Sequence, residues 1–124
     1  MKVLIVDDSA MMRRTVQRHV NQLEVEIIGA ASNGNEAIEL VKSHQPDIVT
    51  LDITMPGMDG LSCLDHIMEI APETKVIVVT ALKDKPTGLK ALKKGAVGYI
   101  NKPIDEDDIV SAFDDVLNME EDEY

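Results

Sequence analysis

Five residues able to act on a charged oxygen group stand close behind short apolar runs. Asp7 and Asp8 follow Val3–Val6, Asp52 follows Ile48–Leu51, Thr80 follows Val76–Val79, and Lys102 follows Gly98–Ile100 with Asn101 between. Three carboxylates gathered at one place repel one another, and without a cation at least one of their pKa values must rise. A hard divalent ion removes that conflict, and Mg2+ takes a few carboxylates together with water and phosphate oxygens. Such an ion also neutralises charge on an incoming phosphoryl group, and an aspartate carboxylate attacks phosphorus without needing a general base. Lys102 adds a mobile cation for a second phosphoryl oxygen. Thr80 can donate to a third, and the small Ala81 lets a backbone N–H come close.

This chemistry requires the runs to end at one edge of one sheet. Val3–Val6, Ile27–Ala30, Ile48–Leu51, Val76–Val79 and Gly98–Ile100 are too short for helices and mostly lack polar alternation, as strands buried on both faces do. The segments between them carry helical spacing. Met12, Val16, Val20 and Leu23 share a face of the first; Ala37, Ile38 and Val41 of the second; Leu61, Leu64, Met68 and Ala71 of the third. Leu89 and Leu92 serve the fourth, and Ile109, Phe113, Val116 and Leu117 the fifth. Asn33, Asp59 and Asp105 suit helix N-caps, Pro86 a first turn, and Gly95 a helix end. Strand–helix alternation repeated five times predicts an α/β domain, a parallel sheet with helices on both faces. Ligands of such sheets bind beyond the carboxyl ends of the strands.

The chain has 124 residues, enough for one core, and a formal net charge of -11. Ten of the 23 acidic residues fall in residues 105–124, which hold no Lys or Arg. That balance argues against nucleic acid and against an anionic membrane as partners. No run is long enough to span a bilayer. Cys63 is the only cysteine, so no disulfide forms within the chain. These features predict a cytoplasmic protein.

Asp7-Asp8-Ser9, the stretch from Asp52 through Thr54, Met55, Pro56, Gly57, Met58 and Asp59 to Gly60, then Thr80-Ala81, Tyr99 and Lys102-Pro103 resemble the response-regulator receiver family. Within it the chain is most similar to the stand-alone chemotaxis CheY type, over residues 2–118. The resemblance implies a single doubly wound (βα)5, flavodoxin-like domain with a five-stranded parallel sheet in the order 2-1-3-4-5, in residues 1–118, followed by an acidic tail in 119–124. It implies phosphorylation of Asp52 by a histidine kinase, and Mg2+ held by Asp8, Asp52 and the backbone carbonyl of Thr54, with Asp7 acting through a metal-bound water. Lys102 is then a phosphoryl contact, Thr80 and Ala81 bind the phosphoryl group, and Thr80 with Tyr99 relays its presence. The Lys102–Pro103 peptide is expected to be cis. Output is expected through the fourth helix, fifth strand and fifth helix to a motor switch, phosphatase or other regulator, from a monomer or weak dimer.

Plainer readings stand beside these. Asp7 and Asp8 also suit a helix N-terminus, and Tyr99 also suits a packed, half-exposed aromatic. His19, His44 and His66 form no ligand cluster and read as surface or satisfied histidines. Cys63 reads as packed. Lys83, Lys85, Lys90, Lys93 and Lys94 crowd the fourth helix, beside an acidic fifth helix, as a solvated face or as one pole of a charged docking surface. Leu82, apolar two residues after Thr80, predicts a long-lived phosphoryl group. An aspartyl-nucleophile phosphatase carries a second acid where Thr54 stands. A flavin carrier needs a phosphate cradle where Asp7 and Asp8 stand. Both fit less well than a phospho-accepting switch.

Overall fold

The computed structural model describes the backbone of residues 1–54, 60–81 and 85–121, and side chains as far as residue 118. Strands and helices alternate: β1 (Lys2–Val6), α1 (Ala10–Val20), β2 (Glu26–Ala31), α2 (Gly34–His44), β3 (Ile48–Asp52), α3 (Gly60–Ile70), β4 (Lys75–Thr80), α4 (Lys85–Lys93), β5 (Gly98–Asn101) and α5 (Glu106–Glu121). The sheet is parallel throughout, in the order β2-β1-β3-β4-β5.

Alternation along the strands splits the core in two. Leu4, Val6, Val49, Leu51, Val76 and Val78 face α2, α3 and α4, where they meet Ile38, Val41, Leu64, Ile67 and Ala91. Val3, Ile5, Ile48 and Ile77 face α1 and α5, against Val16, Val20, Ile109, Phe113 and Val116. With helices on both sides, the central strands are buried on both faces and read as unbroken apolar runs.

Helix ends are fixed locally. The Ser9 hydroxyl caps α1 by accepting the Met12 N–H, and the Asn33 side chain accepts the Glu36 N–H at 2.8 Å. Asp105 accepts the Asp107 N–H at 3.1 Å at the start of α5. Gly95 follows α4 with φ +114, a backbone region open to glycine. The expected cap at Asp59, together with Leu82 and Lys83, lies outside the described residues. So do residues 122–124 of the tail, whereas α5 runs past residue 118 to Glu121.

Two helix faces differ from expectation. In α3 the buried residues are Gly60, Cys63, Leu64 and Ile67, while Leu61, Met68 and Ala71 pack at the margin of the core. In α4 the correction is larger: Leu89 and Leu92 are 53% and 36% exposed, and Gly88 and Ala91 are buried instead. The Tyr99 ring explains this. A Cβ placed on Gly88 would lie 3.0–3.2 Å from three of its ring atoms, so the helix sits too close for a large inward side chain. Among the described residues no helix is long and apolar enough to cross a membrane.

Candidate functional site

The carboxyl ends of β1, β3, β4 and β5 bring the expected residues to one edge. Asp7 extends β1 and is held there by its N–H bond to the Ala31 carbonyl at 3.0 Å. Asp8 turns outward and is exposed, while Asp7 and Asp52 are buried. One carboxylate oxygen from each of Asp7, Asp8 and Asp52 lies within 4.8 Å of the others. The three thus present hard oxygen donors to a single point, the donor type that Mg2+ and Ca2+ accept.

Asp52 is anchored through both oxygens. Its Oδ2 accepts Lys102 Nζ at 3.0 Å; its Oδ1 accepts the Thr54 N–H at 2.8 Å and the Thr54 hydroxyl at 2.6 Å. Sequence reasoning assigns no role to the Thr54 side chain; a donor-bearing residue two positions beyond an acid, as in an Asx-turn, is the signal for it. Lys102 also stands 3.6 Å from Asp7 Oδ2. Burial pulls the Lys102 ammonium down, but the bond to Asp52 and the charges of Asp52, Asp7 and Asp8 carry it above its ordinary 10.5.

The pKa rise expected of crowded carboxylates falls on Asp7, and burial is its main cause. The Ser9 N–H, bonded to Asp7 Oδ1 at 2.9 Å, and Lys102 oppose it, while the charges of Asp52 and Asp8 add to it. Arg13, to which the sequence assigns no role, donates to the Asp7 carbonyl at 2.7 Å and ties α1 to the site.

Thr80 is fully buried at the end of β4, with Oγ1 2.8 Å from Asn101 Oδ1 and 3.3 Å from the Ala81 carbonyl. Ala81 is exposed. Tyr99 is half-buried, packed on the α2–α4 side of the sheet. The Lys102–Pro103 peptide is cis. Away from this edge, Cys63 is buried and free, its thiol pushed up to about 11 by burial. His44 pairs with Ser43 and His66 with the Ser62 carbonyl, but His19 Nδ1 is buried without a partner, contrary to expectation.

Comparison with known proteins agrees with this geometry. Residues 3–114 match the response regulator receiver domain. The chain is 42% identical over 115 residues to chemotaxis protein CheY of Thermotoga maritima, covering 93% of this chain and 96% of that protein. It is 50% identical over 105 residues to a protein-glutamate methylesterase/protein-glutamine glutaminase of Syntrophomonas wolfei, covering 82% of this chain but 30% of that protein. The receiver domain of AraT, a response regulator from Geobacillus stearothermophilus, superposes with a TM-score of 0.90 at 31% identity, over 98% of this chain and 96% of that domain. A clustered acidic edge, the strand order and a match over most of the chain converge: this chain belongs to the response regulator receiver family and is CheY-like, a phospho-accepting signalling switch rather than a catalytic enzyme.

Proposed function

We propose that Asp52 is the phosphorylated residue, that residues 1–118 form the receiver unit, and that Mg2+ is the ion used. The observation that carries this reading is the buried Asp52 carboxylate, held by Lys102 Nζ at 3.0 Å and grouped with Asp7 and Asp8. Asp7, Asp8 and Asp52 would hold the ion, with the Thr54 carbonyl as a further ligand, Asp7 reaching it through water. Bound there, Mg2+ supplies charge neutralisation for the phosphoryl oxygens.

The chain's own residues do the rest. A carboxylate oxygen of Asp52 forms the bond to phosphorus as the bond from phosphorus to the donor, a histidine kinase, breaks. No proton has to leave Asp52 first. Lys102 is placed to follow its contact from the carboxylate to the phosphoryl oxygens, and Thr80 and the Ala81 N–H complete the cradle. Thr80 moves inward, and Tyr99 follows into the space it leaves.

The output surface of this reading is α4-β5-α5. Leu89 and Leu92 are exposed there beside Lys85, Lys90 and Lys93, next to a groove of about 370 Å3 lined by Tyr99, Asn101, Asp108, Ser111 and Asp115. A chemotaxis pathway is the setting supported by the CheY relatives. Acetyl phosphate with Mg2+ tests the core of the proposal. One base-labile phosphoryl group should appear on the wild type and be absent from Asp52→Asn. Equal labelling of the two, or labelling unaffected by chelation, would overturn it.

A further inference from the structure

We propose that Asn101 is a positioning residue that holds the Thr80 hydroxyl away from the acceptor aspartate and so sets how readily the switch engages a phosphoryl group. The inference rests on the reading of Asp52 and Thr80 given above and adds a residue to it.

Thr80 and Asn101 are direct partners in the parallel register of β4 and β5, so their side chains rise side by side from the same face. Thr80 is fully buried, and its Oγ1 lies 2.8 Å from Asn101 Oδ1. A threonine hydroxyl has one proton to give. In the sheet, β4 lies between β3, which ends in Asp52, and β5, which carries Asn101. Its shorter contact, to Asn101, draws the proton to the strand on the far side from Asp52; the Ala81 carbonyl at 3.3 Å is the longer alternative. Donation to a phosphoryl oxygen on Asp52 requires the bond to Asn101 to break first, leaving the half-buried amide oxygen without this donor.

The two acceptors compete, and the resting one lowers apparent affinity for the phosphorylated state by the factor its bond is worth. For a neutral hydrogen bond that factor is roughly 2- to 10-fold. An apolar residue at 101 removes the competitor while leaving Asp7, Asp8, Asp52 and Lys102 in place.

The test is isothermal titration with beryllium fluoride, a phosphoryl mimic, in Mg2+. Asn101→Val should bind it about 2- to 10-fold more tightly than wild type. In a Thr80→Ala background the same change should alter binding by less than about twofold, because no hydroxyl remains to be released. Asn101→Ala serves as a second variant, and urea midpoints verify that each protein is folded. Unchanged or weaker binding by folded Asn101→Val and Asn101→Ala overturns the inference, as does an equal gain in the Thr80→Ala background. If wild type binds no beryllium fluoride, the phospho-acceptor reading falls and this inference falls with it; binding by wild type with no effect at Asn101 overturns this inference alone.

Discussion

At Thr50 a hydroxyl sits in an apolar layer. The register places it between Ile5 and Ile77, and its oxygen is buried without a partner. A desolvated, unbonded hydroxyl opposes folding, so Thr50→Val should stabilise the protein by about 1 kcal/mol, read as a higher urea midpoint. Asp7 makes the companion case for charge. Its carboxyl titrates above the ordinary 3.8 in the folded protein, mainly through burial. The folded state therefore holds that proton more tightly than the unfolded chain, and stability from this group falls as pH rises from 3.8 through the folded value. In chelator at neutral pH, Asp7→Asn should be more stable than wild type, and its advantage should shrink as pH falls through the folded value toward 3.8 and be nearly gone below it; urea midpoints across pH check both. Single residues such as Asp7, Asp52 and Lys102 were legible in the sequence because their types and positions behind apolar runs restrict their chemistry. Their partners were not: the Thr80–Asn101 pair depends on strand register, and Arg13 bonds a backbone carbonyl that no side-chain pattern announces.

At the scale of elements, α4 stands apart. It is nine residues long, begins beside Pro86, contains Gly88 in its interior and buries only Gly88 and Ala91. Glycine within a helix costs about 1 kcal/mol relative to alanine, so this helix leans on few contacts. Its two leucines suit a core-facing stripe, because a three-residue spacing of large apolar groups ordinarily marks the inward face. Here the Tyr99 ring, supplied by another element, fills that space, and no helical period reports it. Leu89→Ser with Leu92→Ser should shift stability by less than about 1 kcal/mol, within the range of surface changes. The same pair of changes should weaken capture of the phosphorylated protein's partner. Phe113→Ala, on the fully buried face of α5, should by contrast cost about 3–5 kcal/mol in urea unfolding.

For the whole molecule, five apolar runs alternating with five helical segments were enough to fix the class and the parallel sheet. The strand order was not in the residues; it came with the family resemblance, and the structure has the same order. Charge follows the same division. Residues 1–104 are nearly balanced, whereas α5 opens with Glu106, Asp107 and Asp108, continues with Asp114 and Asp115, and has no basic residue in its last turn. Among the described residues no lysine or arginine pairs with an α5 carboxylate; the α4 side finds its one such contact in Lys94–Asp65, at 3.0 Å. The molecule therefore carries a basic helix and an acidic helix on opposite faces of the sheet, either side of the edge strand β5, with their charges still open to others.

The groove beside β5 has a second consequence. β5 is one of the two edge strands, four residues long, and its free side offers hydrogen-bonding groups to any other unpaired strand. Asp108 and Asp115 line that side, so two copies meeting edge to edge would bring carboxylate against carboxylate. Neutralising both, as Asp108→Asn with Asp115→Asn, should speed the appearance of thioflavin-positive aggregates in concentrated, gently heated solution, with the wild type remaining clear. The acidity of α5 is thus expected to oppose cross-β growth at an open strand.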